Sequence, residues 1–151
     1  MAGAAQIMAE AGIEVFAAED RGPNATLQLM QNRADRATAD VVVIQVGTNG
    51  PVSVAQYDAM AQLLIDVPQV FFMTVKAPLD WIAANNALIR ALPDRYPNVA
   101  VIDWEQFGSS IESELSPGDG YVHLYTPRSI TLYSNLVLDA VGLPPVSVAG
   151  E

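Results

Sequence analysis

The chain contains no cysteine and a single histidine. The first absence excludes disulfides, thiolate nucleophiles and cysteine-ligated metals, and the second excludes a multi-histidine metal site. Basic residues are scarce, with 7 Lys and Arg against 17 Asp and Glu for a formal charge of −10 and a pI near 4.2. They form no cluster, which argues against nucleic acid and anionic membrane as partners, since both require a basic surface. No apolar run approaches the roughly 20 residues of a membrane span, so direct membrane insertion is not expected. The opening MAGAAQIMAEAG has no basic n-region and does not read as a signal peptide. Internal repeats, low-complexity tracts and linkers are also missing.

What is present describes a globular chain. Its 151 residues, 51% hydrophobic and 16% charged, suit one domain with a sizeable core, expected over residues 1–145 with a tail at 146–151. The stretch Asp40–Ser53 organises it. Val41, Val42, Val43, Ile44 and Val46 follow one another without polar alternation, the pattern of a strand buried on both faces, and this strand is expected at the centre of a parallel sheet. It ends in the turn Gly47-Thr48-Asn49-Gly50, where an open α/β sheet places its ligands. Asn-Gly is equally a favoured turn dipeptide, so spacing alone leaves both readings open.

Around it, helices alternate with strands. Met1–Ala11 reads as a helix stopped by Gly12, Ile13–Ala17 as a strand, and the segment from Asn24 or Thr26 to about Arg36 as a helix with Leu27, Met30 and Ala34 inward. Ser53 caps a helix to about Ile65 with Val54, Tyr57, Met60, Ala61 and Leu64 inward. Val70–Val75 is a second buried strand, Trp81 to about Arg95 a helix, and Val99–Ile102 a further strand. Glu105–Gly120 reads as a surface loop with room for one helical turn, and Thr126 or Pro127 opens a last helix to about Val141. The order implies an α/β fold with a doubly wound parallel sheet and right-handed crossovers.

Four loops fall at strand ends: Arg21-Gly22, Gly47–Gly50, Lys76–Trp81 and Asp119–Leu124. The last places a carboxylate four residues before the only histidine, a pair able to orient and charge-stabilise an imidazole acting as general base. Taken alone, a single histidine is more often a satisfied structural residue. Trp81 and Trp104 suit packing, and Asp103 suits a loop carboxylate accepting from backbone amides.

Together, GTNG after a buried strand, the loop ending in Trp81, Asn86 in the next helix, Ile102-Asp103-Trp104 and DG-x-x-HL before the last helix resemble the SGNH (GDSL-like) hydrolase family. The likeness covers about Ile13–Val141 and is nearest to the SGNH domain of bacterial membrane O-acyltransferases. It implies a three-layer doubly wound sheet of order 2-1-3-4-5 and a serine esterase or O-acyltransferase acting on an acylated glycan or small ester, without cofactor or metal. It further implies Asn49 as oxyanion donor with Gly47 permitting the turn, His123 as the base, Asp119 as its orienting carboxylate, and Gly22 or Asp20 as a second backbone donor. Arg21, Gly50 and Trp81 complete the expected binding loops.

Three departures accompany the likeness. Asp119 and His123 are separated by three residues where the family has two, so the loop must bulge or the carboxylate role must move. Asp20-Arg21-Gly22-Pro23 replaces the family's Gly and Gln. The Gly-Asp-Ser segment with the nucleophile is missing, together with the strand that carries it. None of Ser53, Ser109, Ser110, Ser113, Ser116, Ser129 or Ser134 is expected to replace it. These departures lead to the expectation of a truncated chain, inactive as written, whose longer parent includes a membrane acyltransferase domain on the outer side of a bacterial envelope. Two alternatives stand beside it: a non-catalytic SGNH-like domain that binds a glycan or partner protein, and an unrelated flavodoxin-like binding domain.

Overall fold

The structure is a computed structural model that describes residues 2–33, 35 and 38–148. It is α/β: three parallel strands with helices around them. The described chain divides into two compact units, one formed by Asp20–Glu105 and the other by Met1–Glu19 with Gln106–Glu151.

The unit Asp20–Glu105 holds the sheet. Its strands β1 (Val41–Gln45), β2 (Gln69–Met73) and β3 (Val99–Ile102) lie in that order. Parallel register aligns Val42 with Val70 and Val70 with Val99, and Ile44 with Phe72 and Phe72 with Val101. Side chains alternate across a strand, so this set shares one face. Three helices serve this unit: α2 (Pro23–Asn32), α3 (Val54–Leu63) and α4 (Ile82–Arg90). Tyr57, Met60, Ala61 and Leu64 from α3 and its end, with Ile89 and Leu92 from α4 and the turn after it, form one core with Ile44, Val70, Phe72 and Val99, against which Leu27 and Met30 of α2 pack. The Tyr57 and Phe72 rings meet edge to face at 6.1 Å. On the opposite face Phe71, Met73 and Ile102 are also buried.

Several local signals act as the sequence implies. Ser53 and Gln56 form a reciprocal capping box at α3, satisfying two donors that a helix start otherwise leaves open. The second unit contains α1 (Ala2–Glu10), most of α5 (Trp104–Ser110), 3-10 turns at Glu112–Glu114 and Pro117–Asp119, and α6 (Pro127–Ala140). Thr126 and Ser129 form a capping box on α6. At both ends of this pair glycine closes the helix: Gly12 and Gly142 take φ of 88° and 75°. The next residues, Ile13 and Leu143, donate back to the Met8 and Leu138 carbonyls, the paired bonds of a left-handed helix stop. A Cβ added at Gly3 would lie 3.1 Å from Ile130 Cδ1, so α1 approaches α6 closely there.

Five expectations are corrected. Val41–Gln45 is an edge strand and β2 is central, with Val41, Val42 and Val43 only half-buried. Ile13–Ala17 forms no strand. The α2 cap is Gly22, with Pro23 in the first turn, rather than Asn24 or Thr26; the expected extension to Arg36 and the inward Ala34 lie outside the described residues. Val54 is exposed, because the first position of α3 precedes the turn that meets the sheet. Glu105–Gly120 begins with six residues of the seven-residue helix that the buried Trp104 starts, and is not a loop with one turn. Among the described residues no helix is long and apolar enough to cross a membrane.

Candidate functional site

The Gly47–Gly50 turn is held by side chains from α4 and its N-terminal edge. Trp81 Nε1 donates to the Gly47 carbonyl at 3.1 Å, and Asn85 Nδ2 donates to the same oxygen at 3.0 Å and to the Gly50 carbonyl at 3.2 Å. Asn85 Oδ1 accepts from Val52 N–H at 2.9 Å. Both lone pairs of the Gly47 oxygen are therefore used. Gly47 has φ 123°, and a Cβ there would fall 2.8 Å from Asn85 Nδ2, so only glycine fits. Tyr57 donates its hydroxyl to the Val46 carbonyl at 3.3 Å, and burial pushes that phenol well above its ordinary range.

The adjacent Asn86 holds the next loop in the same way, accepting from Val75 N–H at 2.9 Å and donating to Val75 C=O at 2.8 Å. Asn85 and Asn86 are both buried. Neither was singled out for this work from the residues alone. The available signal was two poor helix formers placed side by side within a helix, where such residues persist when their amides bond elsewhere. Trp81 packs, but it also supplies a specific hydrogen bond. Asp103 accepts from Thr74 Oγ1 at 3.0 Å and pairs with Arg90, which also reaches Glu105.

The Arg21-Gly22 loop lies beside this turn. A Cβ on Gly22 would stand 3.5 Å from the Asn49 carbonyl oxygen, and one on Gly50 3.7 Å from Pro23 Cδ. Gln56 Nε2 ties α3 to Asn24 Oδ1 at 2.7 Å. Gly22, Gly47, Asn49, Gly50 and Trp81 are thus brought together at the carboxyl end of β1, with Arg21 half-buried in the same loop. Asn49 is exposed in the turn, and its side-chain amide bonds to no other described residue. It can donate to an incoming oxygen without breaking an internal bond.

Asp119 and His123 belong to the other unit. His123 Nδ1 lies 2.5 Å from Asp119 Oδ2, and Val122 N–H donates to Asp119 Oδ1 at 3.0 Å. Partial burial, the largest single influence, pushes the Asp119 carboxyl up. The His123 ring, the Val122 and His123 amides and the imidazole charge together outweigh it and hold the group below its ordinary value. The extra residue between the pair is absorbed by consecutive left-handed residues, Gly120 at φ 75° and Tyr121 at φ 65°. A non-glycine residue in that region is strained by about 1–2 kcal/mol. Two consecutive left-handed residues thus lie between the pair, and the Asp119 carboxylate reaches the histidine ring.

The arm after the bulge alternates. Tyr121, His123 and Tyr125 are exposed, while Val122 and Leu124 are half-buried. Leu124 pairs antiparallel with the buried Leu115, and Ser116 N–H donates to the His123 carbonyl at 3.0 Å. The Asp119 bond fixes Nδ1 as the donor nitrogen and leaves Nε2 as the basic one, on a side chain that is 69% exposed. This arrangement can take a proton from a hydroxyl or water and return it to a leaving group. Among the described residues no group of three or more His, Asp and Glu side chains could hold a metal ion. Comparison with family models and with curated proteins found no match for this chain.

Proposed function

We propose that the chain is an acyl-transfer domain of the SGNH type, which cleaves or transfers an ester on a glycan or small alcohol by a serine mechanism. The observation that carries the reading is the Asp119–His123 contact of 2.5 Å, kept despite the longer spacing at the cost of two left-handed residues. In this reading His123 Nε2 is the general base and then the general acid, and Asp119 holds the tautomer and stabilises the imidazolium. In the other unit, the Asn49 amide sits on a turn that Trp81 and Asn85 preorganise and is free to donate to an incoming oxygen. The sheet is that of a three-layer doubly wound fold in which a further strand flanks β1. The all-apolar Val41–Ile44 run supports this, since it has the composition of an interior strand. The substrate is an acylated glycan or a small ester, and the parent assembly includes a membrane acyltransferase domain on the outer side of a bacterial envelope.

The test is p-nitrophenyl acetate hydrolysis by the chain and by the chain extended upstream with a Gly-Asp-Ser-bearing segment. Loss of the activity in His123→Ala, with weakening in Asn49→Ala, is the expected result. If neither form has His123-dependent hydrolysis, the reading fails. A domain that only binds glycan would leave the same residues idle in chemistry. Saturable glycan binding without any trappable acyl intermediate in either form would establish it.

A further inference from the structure

We propose that the arm Tyr121–Tyr125 is a sugar-binding platform, on which Tyr121 and Tyr125 stack against an uncharged pyranose chain laid across His123. The inference rests on the acyl-transfer reading above and deepens it, by naming what holds the glycan and which glycans are admitted.

Two of the six large hydrophobic side chains exposed among the described residues lie on this arm, Tyr121 at 37% and Tyr125 at 68%. They stand two positions on either side of His123, and the half-buried Val122 and Leu124 alternate with them. One side of the arm therefore carries ring, imidazole and ring in succession. Over four residues the two backbones are at most about 14 Å apart, the length of a short run of linked sugars.

The backbone beneath the rings is held at each step. Tyr121 N–H donates to the Ser116 carbonyl at 2.8 Å, Val122 N–H to Asp119 Oδ1 at 3.0 Å and Tyr125 N–H to Ser129 Oγ at 3.0 Å, while the His123 carbonyl accepts from Ser116 N–H at 3.0 Å. The Leu115–Leu124 bridge completes the set. A tyrosine on a fixed backbone has only two side-chain torsions to lose on binding, so the platform is largely preorganised.

The fold gives no reason of its own for these two rings. Tyr125 precedes the Thr126 cap of α6, the position from which an apolar side chain staples onto the fourth helical residue, Ile130. Ile130 lies instead against α1 at Gly3, and Tyr125 keeps its exposure. Tyr121 takes φ 65°, a conformation that glycine or asparagine adopts more easily, so backbone preference does not select a tyrosine there.

A pyranose chain offers flat C–H faces edged with hydroxyls. The faces suit the tyrosine rings, and the hydroxyls suit the tyrosine O–H groups and the imidazole. Charge narrows the class further. Glu112, Glu114 and Asp119 precede the arm, and the one basic side chain of this unit, Arg128, lies 3.8 Å from Glu114. Glycans bearing uronate or phosphate are repelled by such a surface. Two rings parted by a polar side chain also offer too little apolar area for a stable protein interface.

Isothermal titration calorimetry on the chain tests this with the uncharged hexasaccharides of β-linked glucose, mannose and N-acetylglucosamine, with hexagalacturonate, and with a proline-rich decapeptide, the other ligand that exposed aromatic rings take. At least one uncharged hexamer is expected to saturate the chain, with affinity lowered about 2- to 10-fold in Tyr125→Ala and in Tyr121→Gly and retained in Tyr125→Phe. Tyr121→Gly eases the positive φ, so weaker binding by that variant is loss of the ring and not of the fold. Failure of all three hexamers, binding that the substitutions leave unchanged, hexagalacturonate binding as tightly, or peptide binding in place of sugar each overturns the proposal. Because p-nitrophenyl acetate carries no sugar, its His123-dependent hydrolysis is scored apart. Hydrolysis without glycan binding overturns the platform and leaves the acyl-transfer reading standing, and glycan binding through the tyrosines without hydrolysis does the reverse.

Discussion

Asparagine does the fastening in this protein. Asn85 and Asn86 hold the two loops after β1 and β2, Asn98 donates to the Leu64 and Val67 carbonyls, and Asn135 closes a two-bond clamp on Val146. Each replaces backbone partners that a loop would otherwise lack. Asn85→Ala strands the Gly50 carbonyl and the Val52 amide and leaves the Gly47 carbonyl with Trp81 alone, for an expected loss of about 2–4 kcal/mol in urea unfolding. Gly47→Ala should cost at least about 2 kcal/mol by the same measurement, because strain at positive φ adds to the contact with Asn85. At Asp119 the carboxyl is held below its ordinary value, so its stabilisation is full above the unfolded-state value and is lost as pH falls through the lower folded-state one. The stability difference between the parent and Asp119→Asn should therefore be flat above about pH 5 and shrink below about pH 4, read from urea midpoints across pH. The Gly47 turn and the contact of Asp119 with His123 were legible from turn chemistry and spacing. Asn85 was not, because its partners lie 33 and more positions away and no local pattern announces them.

Two apolar runs competed for the centre of the sheet. VVVI and VFFM both lack alternation, and composition cannot rank them; their order is set by tertiary pairing. The structure gives the centre to β2, whose Val70, Phe71, Phe72 and Met73 are all buried. Ile13–Ala17 shows the same limit from the other side, since β propensity records fit to a pleated surface and not an intrinsic backbone preference. The helices were easier, because Ser53, Thr126, Pro127, Gly12 and Gly142 act locally as caps and stops. The burial difference between strands is measurable. Phe72→Ala should lose about 3–5 kcal/mol and Val43→Ala under about 1.5 kcal/mol, by urea denaturation.

At the scale of the molecule, charge is unevenly shared. The unit with the histidine pair has eight of the 17 acidic residues and, of the seven basic ones, only Arg128. Such a surface disfavours anionic substrates, the more so at low salt. The unit boundary at Glu19 and Asp20 falls in an exposed stretch, 16–20, outside regular structure. Limited digestion with a Glu-specific protease should cut first after Glu19, which mass spectrometry of the early fragments will show. The boundary at 105 and 106 lies inside α5 and should resist.

The close approach of Gly3 to Ile130 also sets an order of events during synthesis. Residues 20–105 are contiguous and hold their whole sheet, so that unit has all its parts while the ribosome is still translating. Helix α1 leaves the tunnel first, yet the α6 surface it packs on is encoded more than a hundred residues later. At about 5–20 residues per second, α1 waits roughly 6–25 s for its partner. For that interval Ala4 and Met8, buried in the finished protein, are bare apolar side chains on a nascent chain. They are where a chaperone has reason to bind.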